Sequence, residues 1–281
     1  MSGPSPLIRL LKTPRGAISA MVLAVIVLAA IFAPLIAPQG YAIQNLRAAN
    51  TEPGLLYWLG TDEFGRDLFS RIVYGARTSL IVGVTSISVS MLCGMALGAA
   101  AGYFGGWFDR IVTIFVDLSW SFPEILLALI LIAILGPGLT STMIAISIAY
   151  LAQFTRLTRA QVMALKSETY IEATVVLGAG SGHVMFRHLI PNAITPVIVA
   201  GMLATGDAII LEATLGFFGL GAQPPTPSWG AMMSSGTAQI FIAPWIIIFP
   251  GLAIAITVIA INLFGDALID ALDIRQRLRD G

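Results

Sequence analysis

Four carboxylates, Asp117, Glu124, Asp207 and Glu212, lie in stretches that are otherwise apolar enough for lipid. At the middle of a membrane helix each costs about 2.5 to 3.5 kcal/mol, so none is expected to face hydrocarbon. Asp117 and Glu124 are seven residues apart, which puts both on one face of a helix, and Pro123 between them should kink it. Such acids either line a hydrated translocation path or sit hydrogen-bonded or protonated inside a bundle. A second polar concentration is "YIEATVVLGAGSGHVMFRHLIPN", residues 170 to 192, with Glu172, His183, Arg187, His188 and three glycines between apolar segments. The two histidines are five apart, a spacing that does not put them on one α-helical face, and no ligand pattern of Cys or carboxylate stands beside them. A structural or interfacial role is expected for them, and no metal site.

Other chemistries are excluded. A phosphate-binding loop needs Gly-x-x-x-x-Gly-Lys-Ser/Thr, and each of the lysines, Lys12 and Lys166, follows a leucine. There is no Gly-x-Ser-x-Gly elbow and no His-Glu-x-x-His zinc pattern, so the chain is not expected to be an enzyme and no cofactor is expected in it. Cys93 is the single cysteine, which rules out an intrachain disulfide. Met232 and Met233 read as packing residues rather than metal ligands. With a net charge of zero and scattered basic residues, the chain has no nucleic-acid footprint.

The elements that must hold these groups follow from composition. A chain of 281 residues, 57% hydrophobic and 11% charged, cannot hide its apolar side chains in a water-soluble core. It reads as an all-α integral membrane protein. Apolar runs bounded by Gly, Pro or charge give six spans, at 17–37, 78–103, 111–135, 139–157, 191–218 and 243–265. The first run follows Arg9, Lys12 and Arg15 and is long enough for a retained anchor rather than a signal peptide. Residues 1–16 then form a cytoplasmic N-terminus, 38–77 an external loop, 78–265 a five-helix core, 158–190 a cytoplasmic loop and 266–281 a cytoplasmic tail. That orientation leaves only Arg47, Arg66, Arg71 and Arg77 outside, in accord with the positive-inside bias. Arg275, Arg277 and Arg279 most simply anchor the tail near anionic headgroups, with a protein contact as the alternative. Ser86, Ser90, Gly94, Gly98 and Gly102, four apart, line one face of the second span for close helix approach, inside the bundle or between subunits.

In the loop at 158–190, Thr169 and Glu172 form a capping-box pattern, and Gly178, with Gly180 and Gly182 beyond it, should end the helix in left-handed or strained conformations. The short helix, 170–177, would carry Tyr170, Ala173, Thr174 and Leu177 on one mildly apolar face, to lie against headgroups or a partner's groove.

At this loop the sequence resembles a known family. Glu172 and Ala173, then Gly178, then Ile190 and Pro191 resemble the "EAA" loop of permease subunits of binding-protein-dependent ABC importers. Thr174, His188 and Ile190 replace that pattern's usual alanine, isoleucine and leucine. "GTDEFGRDLFSRIVYGARTSL", "GFFGLGAQPPTPSWG" and "GDALIDALDIRQRLRD" are similar to the dipeptide, oligopeptide and nickel branch, and together the segments cover nearly the whole chain. The resemblance implies a type I importer permease of six spans in the cell inner membrane, importing peptides, with nickel or another small solute as the alternative. It implies a homologous sister permease, two ATP-binding subunits that hold ATP and Mg, and an extracytoplasmic solute-binding protein. Tyr170, Glu172, Ala173, Thr174, Leu177 and Gly178 become the coupling loop that contacts the ATPase, Glu172 serving the cap, the contact or both. Asp62, Arg66, Asp67, Arg71, Arg77, Pro224, Pro225 and Trp229 become candidates for docking the binding protein, unless those segments merely fold as a cap over the bundle. An ion-coupled secondary transporter, with the acids as relays, is disfavoured by the coupling loop. A membrane-embedded enzyme lacks a nucleophile and base in the spans.

Overall fold

Proline and capping residues set the first elements. The computed structural model describes residues 6 to 277, with side chains from 8 to 272, so the expectation for the arginines of the tail, Arg275, Arg277 and Arg279, falls outside the described side chains. Helix α1, Pro6–Lys12, leads into α2, Pro14–Ile31, where Pro14 occupies the first turn and the Thr13 hydroxyl accepts from the Gly16 N–H at 3.1 Å. The expected span at 17–37 is interrupted at Phe32 and resumes as the single turn α3, Ala33–Ile36, which contains Pro34.

The second span begins ten residues earlier than expected. Asp67 is the reason: its carboxylate accepts from the Ser70 N–H at 2.8 Å, an N-cap that starts α4, Leu68–Phe104. Helices α5, Gly106–Trp120, and α6, Glu124–Leu135, follow, and α7 runs Leu139–Lys166, nine residues past its expected end at 157. Next come α8, Thr169–Val176, and the single turn α9, Ser181–His183, then a π-helical segment, Val184–Leu189, that runs into α10, Ile190–Phe217. The short α11, Trp229–Gly236, precedes α12, Trp245–Arg277, which absorbs most of the expected tail.

Four stretches are long and apolar enough to cross a membrane among the described residues: Pro14–Ile31, Leu68–Phe104, Ser181–Phe217 and Trp245–Leu272. A fifth exists if α5 and α6, which meet at 97°, count as one broken span. The remaining expected span, 139–157, lies within α7, which is less apolar because other protein surrounds it: Thr142, Ile146, Phe154 and Thr155 are fully buried.

The chain divides into two compact units. The first comprises the residues up to Val84, Ile132–Met143 and those from Met202 on, and in it α12 packs along α2 and α11. Its core joins Ala30, Ala76, Ile209, Trp229 and Ile261, and the Met232 side chain is buried as a packing residue. The second comprises Thr85–Leu131 and Ile144–Gly201. There the small-residue stripe of α4 meets α7 within this one chain: a Cβ added at Gly98 would lie 2.4 Å from the Thr155 carbonyl oxygen, so the two backbones touch.

Candidate functional site

In the hairpin between α7 and α10, helix α8 is held by one buried side chain. Ile171 is 1% exposed and packs in a cluster with Ala99, Val162, Val184, Leu189 and Ala193, which fixes α8 to α4, α7 and the π-helical segment. The helix starts one residue earlier than the capping box requires. Glu168 is the N-cap, without a side-chain hydrogen bond, and its carbonyl accepts from the Ile171 and Glu172 N–H groups at 2.9 and 3.2 Å. Thr169 is therefore inside the first turn, the box does not form, and Glu172 is exposed and reached by none of the described ion pairs. The C-terminus follows the glycine expectation at one position. Gly178 has φ +86°, its N–H donates to the Val175 carbonyl and the Ala179 N–H to the Thr174 carbonyl, which satisfies the last free carbonyls of α8. Gly180 has φ −67° and Gly182 lies in α9, so neither is left-handed.

What the hairpin presents outward is apolar. Val175, Val176, Leu177 and Phe186 are exposed, Val176 and Leu177 by 85% and 88%, beside exposed Tyr170 and Ala173. Thr174 is half-buried and returns its hydroxyl to the Tyr170 carbonyl at 2.7 Å. Val175, Val176 and Phe186 were not among the residues expected from the sequence. Their signal was the continuous apolar run ahead of Gly178, which helix periodicity alone does not single out.

The histidine pair corrects a spacing argument. His183 and His188 have ring centroids 5.4 Å apart, and Tyr170 lies 6.4 Å from His188. The segment between the histidines is wound with i→i+5 hydrogen bonds, as in Ile190 N–H to the Met185 carbonyl, and this wider turn brings positions five apart toward one side. Pro191 contributes no N–H, and the Asn192 side-chain amide donates to the His188 carbonyl at 2.6 Å. No group of three or more metal-ligating side chains forms among the described residues.

The four acids in the spans do not form a set. The chain breaks between Asp117 and Glu124: Ser121 caps α5 by bonding back to the Asp117 carbonyl through its N–H and hydroxyl, and the Pro123 carbonyl opens α6. One straight or kinked helix with both acids on a shared face is thereby overturned. Asp117, Glu124 and Asp207 are exposed on the surface of the chain. Beside the break, the Arg156 guanidinium sits 4.7 Å over the Trp120 ring. Glu212 alone is buried, 1% exposed.

The docking candidates divide too. Asp62, Arg66, Asp67 and Arg71 are at most 7% exposed; Asp62 pairs with both arginines, and Asp67 bonds to Ser70. The Asp62 carboxylate accepts from Arg66 Nε at 2.6 Å and from the Phe64 and Arg66 backbone N–H groups, with Arg71 Nε at 3.4 Å. Arg71 also donates to the Tyr41 carbonyl, and Arg77 to the Ala30 and Ile31 carbonyls at the C-terminus of α2, where a cation suits the helix dipole. Trp229 is buried with its indole N–H on the Ile72 carbonyl at 3.0 Å. A surface role for Asp62, Arg66, Asp67, Arg71 and Trp229 is overturned, because every one of them is turned inward to satisfy another group. Pro224 and Pro225 are exposed, as are Leu55, Leu56, Trp58 and Phe241.

Residues 94–278 match the family described as binding-protein-dependent transport system inner membrane component. The chain belongs to this family. Residues 7–53 of this permease also match the N-terminal transmembrane domain of oligopeptide transport permease C. Its relatives include the dipeptide transport system permease of Alkalihalophilus pseudofirmus, 42% identical over 96% of this chain and 88% of the relative. The glutathione transport system permease of Pectobacterium atrosepticum is 45% identical over 80% of this chain and 74% of its own length. The di/tripeptide transport system permease of Pseudomonas aeruginosa is 42% identical over 92% and 88%. Among solved structures, an inward-facing conformation of the MetNI methionine transporter matches with TM-score 0.58 at 20% identity, over 73% of the permease and 97% of that chain. An amino acid ABC transporter matches with TM-score 0.55 at 15% identity, over 71% and 92%. These two show the fold, an all-helical type I permease, while the family match and the permease relatives make the chain a multi-pass inner-membrane subunit of an ABC importer.

Proposed function

We propose that this permease imports short peptides with ATP hydrolysed on two separate ATP-binding subunits, beside a homologous sister permease and fed by an extracytoplasmic solute-binding protein. The observation that carries the mechanical part is the apolar knob of Val175, Val176, Leu177 and Phe186, held out from a rigid cluster by Ile171. An exposed apolar patch on a fixed short helix fits a groove on a partner. The knob seats in the ATPase, both termini lie in the cytoplasm, and movement of the hairpin reaches α10 through the π-helical segment as one bistable element. Asp117, Glu124 and Asp207 are outward on helices that cross lipid, so they face the sister permease or the aqueous path between the two. The peptide assignment rests on the relatives of 41–45% identity whose names include dipeptide, di/tripeptide and glutathione transport.

Reconstitution of the complex in vesicles tests this reading. Uptake of a di- or tripeptide should require internal ATP and the binding protein. Leu177→Asp should uncouple hydrolysis from uptake, and Gly178→Ala should weaken the coupling. If uptake follows an ion gradient without ATP, or both variants couple as well as the wild type, the assignment fails.

A further inference from the structure

Glu212 has a place in the fold that the transport path does not use. It lies five residues before the end of α10 and is 1% exposed, and neither carboxylate oxygen has a partner at hydrogen-bond distance. The Ser79 hydroxyl, fully buried on α4, is likewise unpartnered. A Cβ added at Gly216, one turn after Glu212, would lie 3.2 Å from the Ser228 hydroxyl oxygen, and one added at Gly83, one turn after Ser79, would lie 2.7 Å from the Ile209 side chain, so Ser228 and Ser79 both border the part of α10 that carries Glu212. Ser228 is the N-cap of α11 and accepts from the Ala231 N–H at 3.4 Å, which leaves its own O–H free to donate. Two hydroxyls from two elements thus lie beside the carboxyl group of a third.

The surrounding backbone leaves the carboxyl little room to turn away. A Cβ added at Gly230 would lie 2.1 Å from the Ala213 carbonyl oxygen, so α10 and α11 are in backbone contact beside Glu212. A buried carboxyl group whose oxygens stay unpaired is unfavourable, and the two hydroxyls are donors placed to relieve it. Ser79 lies within α4, and Ser228 closes the run whose exposed part is Gln223, Pro224, Pro225 and Thr226. We propose that Glu212 is a buried positioning residue that clasps Ser79 and Ser228 and thereby sets the exposed segment 223–226 for contact with the solute-binding protein. The proposal rests on the reading above that an extracytoplasmic solute-binding protein feeds this permease.

The test uses the whole complex in nanodiscs with its binding protein. Glu212→Ala should raise the binding-protein concentration that half-saturates ATPase stimulation about tenfold. It should also speed amide hydrogen exchange in 224–236. Glu212→Gln, whose amide can trade hydrogen bonds with both hydroxyls, should stay within about threefold of wild type. If Glu212→Ala does not assemble, the double variant Ser79→Ala/Ser228→Ala serves, with the same tenfold expectation. Unchanged exchange, unchanged half-saturation, or a Gln variant as impaired as the Ala variant overturns the proposal. Substitutions at the exposed Gln223 and Pro225 judge the docking reading separately: if they leave half-saturation unchanged, docking at this segment fails, while the exchange data still decide whether the clasp exists.

Discussion

The segment from Asp62 to Arg77 and the hairpin from Glu168 to Leu189 reverse the usual relation between polarity and exposure. In the first, charged side chains are buried: Asp62, Arg66, Asp67 and Arg71 satisfy one another, nearby backbone and the start of α4. In the second, Val176 and Leu177 stand in the open while Ile171, Val184 and Leu189 anchor the element. Charge does not identify a contact surface here. The first region uses ionic groups to fix the loop that leads into α4, and the second leaves apolar area exposed.

Four measurements break or sharpen this contrast. The largest effect should come from Asp62→Ala, which leaves the Arg66 and Arg71 guanidinium groups buried without their carboxylate. A loss of about 3 to 5 kcal/mol is expected, read as a lower unfolding temperature of the purified complex, and a neutral result would return these residues to the surface. Leu177→Asp comes second: coupled transport should fall roughly tenfold to a hundredfold, equivalent to about 1.4 to 2.7 kcal/mol, at unchanged thermal stability. Gly178→Ala is third, because φ +86° places a Cβ in the left-handed region at a penalty of about 1 to 2 kcal/mol, confined to the hairpin and visible as faster hydrogen exchange in α8. Thr169→Ala should be the smallest, within about 0.5 kcal/mol, since Glu168 and not Thr169 caps the helix; a loss above about 1 kcal/mol would restore the capping box.

Helix existence was legible because lipid demands long apolar runs, and those runs survive in the structure as α2, α4, α10 and α12. Boundaries were less so. Hydropathy ends a span at the first charge, whereas α4 extends back to its Asp67 cap and α12 continues to Arg277. Gly178 was readable as a left-handed stop because backbone sterics act locally, and the stripe from Ser86 to Gly102 was readable as a close-approach face. The facing of Asp117 and Glu124 was not readable, since a proline marks a kink without stating that the turn will reach 97°. The histidine spacing misled for a related reason: a wider helical turn changes which positions align.

By itself the sequence determined the solvent this chain lives in, its helical elements, the positions that require glycine and the absence of a nucleotide-binding loop. These depend on composition and on interactions within a few residues. Only the tertiary structure decided that Asp62 and Arg71 look inward, that Ile171 is the anchor beneath an apolar knob, and that Glu212 is buried. Burial and pairing of that kind join residues far apart along the chain, and no local rule assigns a side chain its distant partner.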